Sequence, residues 1–557
     1  MEAKIRSAVQ ALLTDRGVPE VSFAVEWPTD TSHGDYAINV ALAAAKALNR
    51  NPKELAEEFT ESLASALAED IRGIEVAGPG FINIFLARER IAEATLAATD
   101  ETWGEGESNA GKTILFEYSC PNPFKEMHLG HLVNTVVGEA ASRLSENQGA
   151  KVVRDTYGGD VGPHVAKALW ALRRKGIAEP GNAAEVGAAY VQGANAYEES
   201  VEAKAEIDAL NVEIYAALGK EEADRTEDER ALAELWRHGR TVSYEAHQAV
   251  WDALDTHFDY VLHESEATPV GMEVVARGIE QGVFERSDGA VIYKGEKKGL
   301  HTLVFITSRG TPTYETKDLG LAYMKEERLS PYDHSYIVTG AEQIGHFKVF
   351  LAALEEVAPL LANKTSHIAH GFMRLSEGKM SSRKGNVIDA VGLLEELHTK
   401  AAEKNEDPII AHQVAVAALK YMILRSAPGS DMIFDPEKSL SLEGDSGPYL
   451  QYALVRARSV LAQEEGLNTS DAPPEPYLLE RLLIRFPEVV ARAERDIAPH
   501  LLVQYLTQIA GEWNSFYAQE RIVGGEYEAY KRGVARAFVN TMEKGLTLLG
   551  ISAPERM

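Results

Sequence analysis

The sequence has a single cysteine, Cys120, among 557 residues. That excludes an internal disulfide and any zinc site built on cysteines, and it fits a reducing cytoplasm. No apolar run approaches the ~20 residues that would span a bilayer. The opening MEAKIRSAVQALLTDRG reads as an amphipathic helix, not a secretory signal. Basic residues are in deficit: 56 Lys plus Arg stand against 85 Asp plus Glu, a formal net charge of −29. A chain this acidic does not coat itself in nucleic acid by bulk attraction, so an RNA partner would need local basic patches. The glycine run Tyr157-Gly158-Gly159-Asp160-Val161-Gly162 lacks the spacing of a dinucleotide fingerprint, which argues against NAD. What is present, 45% hydrophobic and 25% charged residues, is the composition of a globular protein. The length suggests roughly three to four domains.

The chain is organised around TILFEYSCPNPFKEMHLGHLVNTVVGEAASRL, from Thr113 to Leu144. A short β-branched run (Thr113 to Phe116) leads through a turn rich in Pro and Asn to His128-Leu129-Gly130-His131, and an amphipathic helix starts near Leu129. Strand, tight loop and helix N-terminus make a nucleotide site: the helix start offers free N–H groups and a positive dipole end to phosphate. Gly130 lets a ligand approach the backbone. His128 and His131, three apart, share one face. Two surface histidines on a plain strand–helix unit remain the alternative for this stretch alone. A zinc reading is weaker, because no third ligand sits nearby at metal spacing.

Residues 1 to about 105 read as a separate α/β unit. Helical stretches near 2–16 and 37–68 flank a turn-rich segment, Asn51-Pro52 breaks the second, and IEVAGPGFINIFLA makes two strands around a Pro-Gly turn. His33-Gly34-Asp35-Tyr36 is the one place in this part where function would sit. After a Gly- and Glu-rich linker (residues 101–112) comes the opening motif. Lys151 to Thr156 is then a second, parallel strand closing a βαβ unit. Residues from about 166 to 256 form an acidic helical insertion whose charge is mostly a solvated face. Strand character returns at FDYVLHE, and Ser287-Asp288-Gly289 predicts a hairpin. The second half of the sheet is expected to begin at Leu303 to Ile306, followed by a helix starting near Asp318. Another strand is expected at His334 to Gly340, a helix from about Glu342, and a last strand at Ile368 to Met373.

That strand leads to Lys379-Met380-Ser381-Ser382-Arg383-Lys384-Gly385-Asn386, a basic, hydroxyl-rich loop in an acidic chain. Cations on a turn suit a triphosphate whose charge develops as pyrophosphate leaves; a solvated basic turn is the alternative. From about Asp389 to Met557 the periodicity predicts a helix bundle. Arg456 and other basic residues there, with Tyr449, Tyr452 and Tyr517, suit unstacked RNA bases and phosphates.

Together, HLGH and KMSSRKGN resemble the two signature motifs of the class I aminoacyl-tRNA synthetases, in the right order. EYSCPNPFKEMH, GDYAIN, AGPGFINI, Tyr314 through Asp318, Gly447-Pro448-Tyr449 with Gln451-Tyr452, and the ending LLGISAPERM are similar to the arginyl-tRNA synthetase branch. The resemblance spans nearly the whole chain, the acidic insertion excepted. It implies a Rossmann-like parallel-sheet catalytic domain over residues 106–388, with the insertion at about 166–256 and the signature loop at 379–386. It also implies a small N-terminal α/β domain over 1–105 that meets the tRNA elbow, and an all-α anticodon-binding bundle over 389–557.

The implied activity is ATP-dependent arginylation of tRNA(Arg) through an arginyl-adenylate, with Mg²⁺ accompanying ATP. By the same resemblance Glu117, Ser119, Asn122, His131, Glu264, Tyr314, Asp318 and Gln343 would bind arginine, whose planar fork of donors calls for carboxylates and acceptors. His128, Gly130, His131, Met373, Met380, Ser381 and Ser382 would bind ATP. Tyr36, Tyr449, Tyr452 and Arg456 would meet tRNA. Ser382 stands where the second motif usually has Lys, and Lys125, just before the first motif, would supply the missing charge with Lys379 and Lys384, joining His128 and His131 in catalysis. No editing domain is needed, since a lysine competitor lacks the fork. A cytoplasmic monomer with no membrane association is expected. The alternatives are an adenylate-forming ligase that does not use tRNA, which has no use for the bundle, and a catalytically silent tRNA-binding paralogue, which would be expected to have lost His128, His131 or Asp318.

Overall fold

The computed structural model describes residues 1–376, 389–462 and 472–557. The chain divides into two compact units. One gathers residues 1–105, 452–492 and 505–545; the other gathers residues 106–451, 493–504 and 546–557.

In the first unit, a four-stranded sheet with antiparallel pairing runs in the order Val25–Glu26, Tyr36–Ile38, Phe81–Leu86, Ile71–Ala77. Tyr36–Ile38 is thus a strand, not the start of the expected helix, and two helices follow, Val40–Leu48 and Pro52–Ala66. Asn49 turns the chain in the left-handed region at φ 51°. Asn51 then caps the second helix by accepting the Lys53 N–H at 2.9 Å, with Pro52 at the first helical position. The sheet and its helices bury one apolar core.

This N-terminal part also packs on the C-terminal helices of the same unit. Asp35 forms a buried ion pair with Arg481, and Tyr36 gives its hydroxyl to Glu488 at 2.9 Å. Trp27 Nε1 donates to the other Glu488 oxygen at 3.0 Å. Tyr36 is only 2% exposed, so it has no surface to offer an RNA, and its expected role as a tRNA contact gives way to one in the core.

The second unit is built on a five-stranded, wholly parallel sheet. Strand β1 (Thr113–Glu117) leads through helix α1 (Leu129–Asn147) to β2 (Lys151–Gly158). Four helices follow: α2 (Pro163–Arg174), α3 (Ala183–Glu199), α4 (Val201–Leu218) and the long α5 (Glu227–Ala253), which share a core of their own. Then come β3 (Tyr260–His263) and α6 (Glu264–Glu280). A small antiparallel sheet is next, from β4 (Glu285–Ser287), β5 (Ala290–Tyr293) and β6 (Leu303–Ile306). Helix α7 (Tyr314–Leu329), β7 (His334–Gly340), α8 (Ile344–Val357) and β8 (Thr365–His370) complete the main sheet. Its order is β8-β7-β1-β2-β3. The chain builds outward from β1 on one side, then crosses to β7 on the other, so the switch point lies between β1 and β7, where ligands of such sheets bind beyond the strands' carboxyl ends.

Three expectations are corrected here. Leu303–Ile306 pairs with Ala290–Tyr293 in the small sheet and does not open the second half of the parallel sheet. Helix α7 begins at Tyr314, so Asp318 sits more than a turn inside it and not at its start. The region after residue 389 is not wholly helical: β9 (Met373–Leu375) finds a parallel partner in β10 (Met432–Phe434).

Candidate active site

The site is assembled at the carboxyl edge of the main sheet. Beyond β1 the backbone enters the left-handed region at three residues that are not glycine: Ser119 (φ 69°), Cys120 (φ 48°) and Phe124 (φ 67°). Each such position costs about 1–3 kcal/mol and persists only where its surroundings enforce it. Ser119 is fully buried; its Oγ accepts from Trp251 Nε1 and lies 2.9 Å from Thr135 Oγ1. Its side chain is therefore committed to the loop and is not carried forward as an arginine contact.

The two histidines at the start of α1 cap one another. The His131 backbone N–H points to His128 Nδ1 at 3.4 Å, and the His128 N–H to His131 Nδ1 at 3.3 Å. Their rings stack with centroids 3.6 Å apart. With both Nδ1 atoms accepting, each neutral ring carries its proton on Nε2. Burial, then the charge of Lys125, lowers the pKa of His128; burial, then His128 itself, lowers that of His131 well below its ordinary value. The pair is thus two neutral Nε2–H donors beside the free N–H groups of a helix start. Gly130 has a reason beyond ligand access: a Cβ there would lie 2.9 Å from the His128 ring. Lys125 holds its ammonium 4.8 Å from the Tyr190 ring centroid on α3.

The acids gather on the same edge, each with a counterion. Glu117, ending β1, and Asp155 on β2 each place an oxygen 2.7 Å from Lys325 Nζ on α7, all three being buried. Burial pushes Glu117 up to about 7 in spite of Lys325. Glu264, first residue of α6, is ion-paired with Lys317, whose ammonium also lies 4.4 Å from the Tyr314 ring centroid. Burial likewise pushes Glu264 up to about 7. Gly159 brings these groups together: a Cβ there would sit 2.2 Å from Asn122 Oδ1 and 3.2 Å from Glu264 Oε1. Asp318 Oδ2 meets His346 Nε2 at 2.7 Å, and His346 Nδ1 meets Glu315 at 3.4 Å. Burial works against a charge on His346, yet the hydrogen bonds and charges of Asp318 and Glu315 outweigh it and push the imidazole up to about 10. Glu117, Asp318 and Lys325 also line one cavity of about 20 Å³, room for a single water. Gln343 is exposed in the turn before α8.

Lys317, Lys325 and His346 were missed in the sequence. Their signal was available: Tyr314, Lys317, Asp318 and Lys325 fall on one face of α7, and a pocket of buried acids requires cations. Lys379, Met380, Ser381, Ser382 and Lys384 lie outside the described residues; Met373, at the start of β9, is 9% exposed. In the other unit, Arg456 lies between two tyrosines, 5.6 Å from the Tyr452 ring and 4.8 Å from that of Tyr517. Both rings are exposed, and Arg456 and Tyr517 line a concave surface of about 590 Å³. Tyr449 is half-buried.

A family model described as tRNA synthetases class I (R), catalytic domain, matches residues 94–435. The chain belongs to the class I arginyl-tRNA synthetases. The arginyl-tRNA synthetase N terminal domain matches residues 1–86 and the DALR anticodon binding domain residues 450–557. The arginine–tRNA ligase of Lactobacillus delbrueckii subsp. bulgaricus is 30% identical over 580 residues, covering 99% of each chain. That of Treponema pallidum is 32% identical over 550 residues, covering 92% of this chain and 91% of the relative. The arginyl-tRNA synthetase of Thermus thermophilus superposes over 99% of each chain with a TM-score of 0.81 at 26% identity. The Plasmodium falciparum arginyl-tRNA synthetase shares the fold at 18% identity, with a TM-score of 0.78 over 99% of this chain and 98% of that one.

Proposed function

We propose that the chain is an arginine–tRNA ligase, activating L-arginine with ATP and charging tRNA(Arg). The observation that carries this is the juxtaposition of a carboxylate-rich pocket with a pair of neutral histidine donors at one helix start. Asn122, Glu264, Tyr314, Asp318 and Gln343 would receive arginine, with the buried Glu117–Lys325–Asp155 cluster beneath them. Asp318, held between His346 and solvent, has the planar acceptor edge a guanidinium needs. His128, Gly130 and His131, with Met373 nearby, would receive ATP, the two Nε2–H groups donating to phosphate oxygens.

The arginine carboxylate then attacks the α-phosphorus, the bond to the β-phosphate breaks, and pyrophosphate leaves with its electrons. The terminal ribose hydroxyl of tRNA attacks the resulting mixed anhydride and releases AMP. The protein's part is alignment and charge stabilisation. Lys125 lies close enough to the histidines to depress His128 and would balance the departing pyrophosphate, together with Lys379 and Lys384. Mg²⁺ would travel on the triphosphate, held by phosphate oxygens and water.

In this reading residues 106–388 catalyse, 1–105 meet the tRNA elbow, and 389–557 read the anticodon, with Tyr449, Tyr452, Arg456 and Tyr517 as stacking and phosphate contacts. No helix among the described residues is long and apolar enough to cross a membrane. The enzyme would act as a cytoplasmic monomer, which sedimentation would check. The deciding experiment is aminoacylation of total tRNA against a panel of amino acids. Charging with arginine alone is expected; charging with another amino acid, or pyrophosphate release without transfer to RNA, would overturn the reading.

A further inference from the structure

The β1–α1 loop holds three left-handed residues that are not glycine, and its own bonds do not explain why they stay there. Thr156 on β2 accepts the Cys120 N–H at 3.1 Å and Thr135 on α1 donates to Ser119 Oγ at 2.9 Å; the remaining restraint comes from the acidic insertion. Its last helix, α5, presents Gly239, Ser243, His247 and Trp251 at four-residue spacing, and all four are buried. Ser243 Oγ accepts the Phe124 N–H at 3.0 Å while donating to the Gly239 carbonyl at 2.7 Å. Trp251 Nε1 donates to Ser119 Oγ at 2.9 Å. The buried His247 ring lies against the Lys125 backbone. Gly239 has no side chain because a Cβ would lie 2.4 Å from the Phe124 ring. The stripe therefore grips the loop on both sides of Pro121-Asn122-Pro123.

The same helix reaches two more strand ends. Trp236 Nε1 donates to the Asp160 carbonyl at 2.7 Å, Arg240 pairs with the Asp160 carboxylate at 3.0 Å, and Tyr244 meets His263 Nδ1 at 3.1 Å. Asp160 in turn accepts the Ser265 N–H at 2.8 Å, next to Glu264. One helix thus secures the loops after β1, β2 and β3.

We propose that α5 is a positioning element of the active site, with Ser243, His247 and Trp251 holding the Ser119–Lys125 backbone so that Asn122 faces Glu264 and Lys125 stays beside the histidine pair. The inference rests on the reading of this edge as the place where arginine is activated. It gives the insertion, whose outer face is merely acidic and solvated, an inner face with a role in the reaction. Burial lowers the pKa of His247 to about 4, so the ring stays neutral and the grip is independent of pH across the neutral range.

The test uses the full-length protein with Ser243→Ala, His247→Phe and His247→Gln, the last keeping a neutral polar side chain beside the Lys125 backbone. In arginine-dependent pyrophosphate exchange with tRNA present, Ser243→Ala and His247→Phe are expected to lower kcat at least tenfold. The arginine KM should stay within twofold and the melting midpoint unchanged, and His247→Gln should recover most of the rate. A kcat within twofold of the parent would overturn the proposal. So would a loss that follows the melting midpoint and is not recovered by His247→Gln. Amide hydrogen exchange of residues 118–127 reads the loop without reference to activity: protection should fall there in the Ser243→Ala, His247→Phe double variant and hold in β7 and β8. Unchanged protection overturns the positioning role, whereas a parent enzyme inactive with arginine, together with a local loss of protection in the double variant, would overturn only the substrate reading.

Discussion

Replacing His346 by glutamine tests the electrostatics of the pocket most directly. His346 is held between Asp318 at 2.7 Å and Glu315 at 3.4 Å, with its side chain 20% exposed. Its pKa is pushed from 6.5 up to about 10. The folded protein grips this proton more tightly than the unfolded chain. The contribution to stability is therefore complete below pH 6.5 and is lost as pH rises through about 10. At pH 7 it amounts to about 4 kcal/mol, since each pKa unit is worth ~1.4 kcal/mol. Glutamine keeps one N–H for Asp318, worth ~1 kcal/mol. His346→Gln should then be less stable than the parent by about 3 kcal/mol at pH 7, and the gap should close by ~1.4 kcal/mol per pH unit until it vanishes at about pH 9. Urea unfolding of both proteins in parallel across that range measures the gap, and titrations common to both cancel. A difference that stays flat from pH 7 to pH 10 would refute the reasoning, because it would mean that no proton is held there.

Three other outcomes follow from the same geometry. Lys325→Met leaves Glu117 and Asp155 facing one another in the core and should cost about 3–5 kcal/mol. Glu117, raised from 4.5 to about 7, takes up a proton on folding, so stability already falls as pH rises through that window; in the variant the fall should extend to higher pH, and a pH-independent loss would count against it. Lys125→Ala should lower the kcat of arginine-dependent pyrophosphate exchange by roughly 10- to 100-fold with little change in arginine KM, as for loss of a charge that acts on the departing pyrophosphate; near-normal exchange would sink that role. Arg456→Ala should weaken tRNA binding about tenfold, and filter binding that showed no change would remove the Tyr452–Arg456–Tyr517 cluster from the RNA surface.

Much of the parallel sheet and of the histidine site was legible, because the determinants are local. HLGH sits where an apolar β-branched run meets a helix period, and Asn51-Pro52 and Ser287-Asp288-Gly289 announce their own turns. What escaped depended on partners far along the chain. Leu303–Ile306 has the same apolar pattern whether it joins a parallel sheet or a hairpin. Met432–Phe434 is three residues long and becomes a strand only because Met373–Leu375 lies beside it. Tyr36 looked like a surface aromatic in a polar loop until Glu488, 452 residues away, accepted its hydroxyl. On α5, Ser243, His247 and Trp251 read as residues of an acidic helix; only the loop they hold makes them a set.

The buried pair of Asp35 and Arg481 bears on biosynthesis. The first 105 residues leave the ribosome long before the helix Leu478–Leu483 that carries Arg481. Roughly 370 residues intervene, and at about 5–20 residues per second the wait is on the order of 20–75 s. Throughout that interval Asp35, Tyr36 and Trp27 have no Arg481 or Glu488 to bond, and a face destined for the interior stays wet. The nascent N-terminal part can bury its own apolar core at once, but this polar face is completed only when the helices bearing Arg481 and Glu488 arrive.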